Sequence, residues 1–314
     1  MAVMKDINDV CDLALAGRAS RDSMLIDALP SKRMKYLDIS AFSLINKSGK
    51  TVKNCGIWFV DGCFSRISPM ISFEVLEDVS DISFFFFRVP NKGSKLKFDL
   101  KGSGHSGAFF SSHRMNMYCR LVGKNSHIIV GDALHIGGCT IALQNTVMTI
   151  GAGGLWSDGI LVQGTDSHGI VDLDSMQIIN GGAKHITIEP RVWVGRKVTL
   201  MKNITLKEGA IVATNSTVVK DVPTACVVAG VPAKVVKPRT SWCRNEESIS
   251  KWETQQLSLL RERLGRENER PMAKKLTKIT AVGVWQSLWL KALAAGAVGA
   301  AIFEGLSEMV VAVY

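Results

Sequence analysis

Residues 188–222 read IEPRVWVGRKVTLMKNITLKEGAIVATNSTVVKDV, and an aliphatic residue recurs there every six positions: Ile188, Val194, Leu200, Leu206, Val212 and Val218. Four residues after each comes a second aliphatic or small position: Val192, Val198, Ile204, Ala210, Ser216 and Val222. An amphipathic helix would space its apolar residues three and four apart, so a period of six argues against it. A coil with three flat faces, each a short strand plus a corner, returns one inward side chain every six residues. The inward residues of successive coils stack into a continuous column, and each coil is stabilised by its neighbours. β-Branched residues suit the strands, and Gly195 and Gly209 relieve the bends.

Upstream, Val130, Ile136 and Ala142 keep the same register, with Leu134 and Thr140 at the second positions. After a slip of two residues, Ile150, Trp156 and Val162 resume it, beside Gly154 and Ile160. The pattern lapses between His168 and Ile188, and residues 169–187 read as an excursion loop. Long loops in compact folds are often functional, and a histidine opens this one. Residues 1–50 look partly helical. Residues 51–120 hold strand-like runs, among them four consecutive phenylalanines at 84–87, and are either irregular first coils or a separate β segment. The β-helix itself is expected over 121–238, followed by a helical extension over 239–314. Within that extension, Ile249, Trp252, Leu257, Leu260 and Leu264 fall near helical spacing. The charge-free run 292–303 is too short to span a bilayer, and the tail reads as packed on the β-helix or another subunit. Trp285 and Trp289 leave a peripheral membrane contact as the second reading.

A hydrophobic fraction of 46% and a charged fraction of 21% exclude wholesale disorder. The net charge of +10 is unevenly placed: residues 234–278 hold 12 Lys/Arg against 6 Asp/Glu. A basic flank of that kind suits CoA phosphates, an anionic membrane surface or an acidic glycan, and no nucleic-acid partner is expected. Seven cysteines without a CxxC pair support neither a disulfide framework nor a zinc cluster, and they fit a reducing cytoplasm. Lys5, Asp6, Asp9 and Asp12 interrupt the N-terminus, which does not read as a secretory signal.

Four segments carry a resemblance: GTDSHGI (164–170), IEPRVWVG (188–195), VATNSTVVKD (212–221) and VAGVPAK (228–234). In order and spacing the chain resembles the hexapeptide-repeat acyltransferases, particularly polysaccharide and sugar O-acetyltransferases. The resemblance implies a mainly β fold, a left-handed parallel β-helix, assembled as a homotrimer with active sites between adjacent copies. It implies acetyl-CoA as co-substrate, a sugar or polysaccharide acceptor, and no metal. His168 falls where the family has its general base. A sugar hydroxyl is a poor nucleophile while protonated, and a histidine can take that proton and return it to the departing thiolate. Asp166, on the same face if the segment is a strand, is expected to orient the imidazole or contact the acceptor. The donor site falls on Trp193, Gly195, Arg196, Thr214, Lys220, Lys234 and Lys237. Arg196 stands where a small polar residue is frequent, and Val219 replaces a hydroxyl residue. Trp156 and Asp158 are expected to line the acceptor pocket, and His185 to be structural or at its rim.

Two other classes compete. A zinc hydratase on such a solenoid needs two histidines five residues apart, and His127, His135, His168 and His185 provide no such pair. A non-catalytic scaffold or glycan-binding solenoid is the other, with N-acetylation of an amino sugar open within the enzyme class.

Overall fold

The computed structural model describes residues 34–46 and 49–269. Of residues 1–50, expected to be partly helical, the first 33 fall outside them, as does the apolar tail from 281 onward; the described part holds the strands Met34–Asp38 and Ser43–Ile45 joined by a single 3-10 turn.

The six-residue pattern folds as a parallel stack with three faces. On the first face, His127–Val130, Thr146–Ile150, Lys184–Ile188 and Ile204–Leu206 pair in succession. On the second, Leu155–Trp156, Trp193–Val194, Ile211–Val212 and Val227–Gly230 do so. The third carries Ile160–Gln163, Thr199–Met201 and Thr217–Val218. Ile188 pairs with Leu206, Val194 with Val212 and Leu200 with Val218, so a regular turn takes 18 residues and template positions stack on template positions. All twelve are at most 2% exposed. Ser216, the one polar member, is satisfied because its Oγ accepts from Gly230 N at 3.1 Å.

The upstream register differs from the expected one at one corner and shifts two positions: Thr140 is exposed, with Cys139 buried in its place. Ala142 is only partly buried, while Ile141 and Leu143 fill the core and Val162 pairs with Ile141. The corner at Gly137 and Gly138 is one residue tighter than the template. From Ile136 to Ile141 the spacing is therefore five residues, and Ala142 turns outward.

Residues 51–120 are coils of the same stack. Ile71–Phe86 pairs in parallel with Val52–Val60, Lys95–Ser103 and Ser106–Phe109. Lys95–Ser103 passes the pairing to Met115–Val122, which hands it to His135–Gln144. Their longer strands enclose a wider core that aromatic side chains fill. Phe73, Phe84 and Phe98 lie with ring centroids 4.4–5.7 Å apart, and Phe86 stacks on Phe109 at 4.7 Å. Among the four consecutive phenylalanines, Phe84 and Phe86 join the core while Phe85 and Phe87 lie on the other side of the strand, the period of two that a strand dictates.

Antiparallel strands close both ends, Met34–Asp38 on Val52–Val60 and Ala233–Lys237 on Val227–Gly230. The chain then folds back along the corner between the first and second faces. Thr240 N donates to Ala225 O, and Ser241 Oγ to Gly209 O. Trp242 is buried there: its Nε1 donates to Arg191 O at 2.6 Å, and Arg191 Nη2 returns a bond to Trp242 O at 3.1 Å. The helix Lys251–Glu269 begins with a reciprocal cap in which Glu253 N donates to Ser250 Oγ and Ser250 N to Glu253 Oε2. It buries Leu260 near Gly209 and pairs Arg263 with Glu208 at 2.6 Å. The described part of the extension thus packs on the β-helix.

Candidate active site

The stack is interrupted once on a grand scale. Ile150 pairs directly with Ile188, so the turn between them holds about 20 residues more than a regular one. The surplus leaves at Gly164, where a Cβ would lie 2.7 Å from Leu143 Cδ2 and 2.9 Å from Ala142 O, so a side chain does not fit. Thr165 Oγ1 donates to Gln144 Oε1 and accepts from Ser167 N, forming a tight polar turn. Ser167 takes a φ of 61°. A small hairpin of Val171–Asp172 and Gln177–Ile178 follows, and Lys184 N rejoins the stack by donating to Asn145 O at 2.9 Å.

His168 sits exposed on this turn, and its carbonyl accepts from Asn180 Nδ2 at 2.8 Å. Asp166 was expected to share a strand face with it. The chain at 166–168 is a turn instead, and the left-handed Ser167 removes the alternation on which that expectation rested. The Asp166 carboxylate is engaged elsewhere. Lys202 Nζ lies 2.5 Å from both of its oxygens, and Asn180 Nδ2 donates to Oδ2 at 2.7 Å. The Lys202 ammonium, then the Asn180 amide, hold the carboxyl below the usual range. Lys220 lies exposed one coil beyond Lys202, by the register of Leu200 on Val218. His185 is exposed on the first face, its backbone N–H donating to Asn203 Oδ1 at 3.2 Å.

A second group occupies the corner between the second and third faces. Trp156, Val194 and Val212 are stacked, so the residues two positions on, Asp158, Arg196 and Thr214, form a column. Arg196 Nε meets Asp158 Oδ1 at 2.7 Å, both side chains being exposed, and the guanidinium lowers the carboxyl's pKa. A residue expected at the donor and one expected at the acceptor are partners. Gly195 is dictated by packing, because a Cβ there would lie 2.8 Å from Thr214 N and Val212 O. Lys234 and Lys237 are exposed on the closing strand. Trp193 is 38% exposed on the second face, with its ring centroid 6.2 Å from that of Trp242.

Trp156 does not line a pocket. It is 1% exposed, stacked in the core between Ile136 and Val194, as its place in the six-residue register requires. The expected residues thus separate within one chain: Asp166, His168 and Lys220 at one margin of the third face, Asp158, Arg196 and Thr214 at the other. The outer third face also bears a shallow cleft of about 510 Å³ lined by Lys95, Lys97, Tyr118, Thr140 and Leu161, which holds none of them. Lys202 and Asn180 were missed. Lys202 follows the six-residue template but looks like any solvated corner lysine. Asn180 lies in an aperiodic loop. Among the described residues no cluster of three His, Cys, Asp or Glu side chains is arranged to hold a metal.

No protein-family model matches the chain. Over 126 residues it is 36% identical to the polysialic acid O-acetyltransferase of Escherichia coli O1:K1 / APEC, covering 40% of this chain and 41% of that one. Over 50 residues it is 48% identical to a probable macrolide acetyltransferase of Lysinibacillus sphaericus, 16% of this chain and 28% of that one. The matches therefore span about two-fifths or less of these curated relatives. The crystal structure of the polySia specific acetyltransferase NeuO superposes with a TM-score of 0.55 at 24% identity, over 72% of this chain and 99% of that one. The three-faced stack is a left-handed parallel β-helix. The chain is thus similar over part of its length to named acetyltransferases and shares its fold with one of them.

Proposed function

We propose that this protein transfers an acetyl group from acetyl-CoA to a hydroxyl of a polysaccharide or sugar, with His168 as general base. The observation that carries the reading is the solvent-facing His168, held on a turn braced by Asp166 and Lys202, within a chain 36% identical over 126 residues to a polysialic acid O-acetyltransferase. His168 takes the proton from the acceptor hydroxyl as its oxygen attacks the thioester carbonyl carbon. It returns that proton to the sulfur as the C–S bond breaks, so the reaction ends with an acetyl ester and a free thiol. A positioned base of this kind contributes roughly 10²–10⁴-fold. Asp166, held ionised by Lys202, stabilises the turn on which the base sits rather than sharing the proton.

Acetyl-CoA supplies an activated acetyl group, and the residues present suit it. Gly195 keeps the corner thin beside Thr214, and exposed Lys220, Lys234 and Lys237 offer ammonium groups to phosphates. In this reading the protein is a homotrimer, with His168 of one copy facing the Arg196–Thr214 corner of the next. Two features support assembly. The two groups of site residues lie on opposite margins of one face, and the hairpin beside His168 carries Leu173, Met176, Ile178 and Ile179 at 64–82% exposure. Apolar side chains so grouped mark a contact surface. The six described cysteines are free thiols, which fits a cytoplasmic site of action, and no helix among the described residues is long and apolar enough to cross a membrane.

The test is thiol release from acetyl-CoA by the full chain against a panel of bacterial capsule and lipopolysaccharide glycans. Acceptor-dependent release, with acetyl ester appearing on one glycan, is expected. Release that ignores every acceptor would overturn the reading.

A further inference from the structure

The turn that carries His168 has little burial to hold it: residues 167–170 are all exposed. One side chain ties it down at three points. Asn180 Nδ2 donates to Asp166 Oδ2 at 2.7 Å and to the His168 carbonyl at 2.8 Å, while Asn180 Oδ1 accepts from Ile170 N at 2.7 Å. The three anchored residues alternate along the chain and bracket the histidine on both sides. Asp166 is in turn bound by Lys202, which directly follows the stacked strand Thr199–Met201. A continuous polar path runs from the rigid stack through Lys202, Asp166 and Asn180 to the backbone of His168.

We infer that Asn180 is the positioning residue of the proposed reaction, a three-point clamp that fixes the imidazole against the rigid β-helix. This rests on the reading of His168 as the base. The amide is chemically particular to the task, because it presents two N–H donors and a carbonyl acceptor from one planar group. An aspartate would accept from Ile170 but donate to nothing, and it would set a second carboxylate against Asp166. An aliphatic residue would leave all three contacts unmade. Freeing the turn costs rate through geometry, since a misplacement of about 1 Å can lower turnover roughly 10²-fold. It costs little affinity for acetyl-CoA, whose expected contacts lie on other coils.

The experiment compares the full wild-type chain with Asn180→Ala, Asn180→Asp and a control, Ser175→Ala, which cuts only the hairpin's own bond to Asp172. Amide hydrogen exchange over residues 165–172 and steady-state kinetics are measured on each. Asn180→Ala should exchange at Ile170 roughly tenfold faster or more, with the stacked strands still protected, whereas Asn180→Asp retains that acceptor. Their kcat should fall roughly 10–100-fold with KM for acetyl-CoA within about twofold. Asn180→Asp should be at least as impaired as Asn180→Ala, and Ser175→Ala should match wild type. Unchanged exchange at Ile170 in Asn180→Ala, unchanged kcat in that variant despite faster exchange, or an equal loss in Ser175→Ala would each overturn the clamp. A wild-type chain without acceptor-dependent turnover overturns the transferase reading instead, while faster exchange at Ile170 in Asn180→Ala still supports the clamp.

Discussion

Lys202 grips Asp166 across two segments that are 36 residues apart in the chain, its Nζ lying 2.5 Å from both carboxylate oxygens with each side chain 20% exposed. The excursion begins at this contact, so the pair joins the loop to the stack. In a double-mutant cycle of Lys202→Met and Asp166→Asn, urea unfolding should give a coupling on the order of 1 kcal/mol. Strict additivity would show that the pair holds nothing. Because Asp166 has a depressed pKa, its contribution is present above the ordinary carboxylate value and fades as pH falls through the lowered one.

His168→Ala should lose at least about 10²-fold in turnover while calorimetry still shows CoA binding. Lys234→Ala should do the opposite, weakening intact CoA more than dephosphorylated CoA at near-normal kcat. Wild-type-like turnover in the first variant removes the base, and equal losses for both ligands in the second remove the phosphate contact.

Acid should loosen the upper coils. His105 is buried with both ring nitrogens committed: Ser126 N donates to Nδ1 at 3.2 Å, and Nε2 lies 3.0 Å from Lys101 O. That network assigns the neutral tautomer with the proton on Nε2, and protonation of Nδ1 would break the Ser126 bond. Burial lowers the pKa of His105; burial, then the nearby His105, pushes His127 down to about 4. The unfolded chain binds these protons near pH 6.5 and the folded one only lower. Their stabilising contribution is therefore complete above about pH 6.5 and is lost as pH falls toward 4. A thermal midpoint flat across that window would contradict this, and His127→Gln should shallow the slope.

Light scattering on the full chain should report about three times its 34.2 kDa mass. Leu173→Glu combined with Ile178→Glu should yield smaller species with turnover down by an order of magnitude or more. A monomeric wild type that turns over normally would sink the shared site.

The coils of residues 188–222 were legible because their inward positions hold only aliphatic or small residues, which keeps those turns at 18 residues. Coils before residue 121 hid the same construction, since Phe73, Phe84 and Phe98 widen them and lengthen their strands beyond six-residue units. Ala142 was misread because a glycine pair can tighten a corner by one residue without altering the look of the pattern. Trp156 was legible as core from its register, and a role at the acceptor contradicted that register. His168 was visible as the opening of the lapse. Its supports were not, because Asn180 and Lys202 come near it only through a looped-out segment and the next coil.

A column of coils, each stabilised only by its neighbours, should come apart from its ends. The segment after Lys237 changes that for one of them. Thr240, Ser241, Trp242 and Arg263 fasten it to Ala225, Gly209, Arg191 and Glu208, across the last three coils. The last turns cannot unwind singly while that strap is closed, so dissolution of the column starts at the opposite pole and reaches the coils bearing Arg196 and Thr214 last.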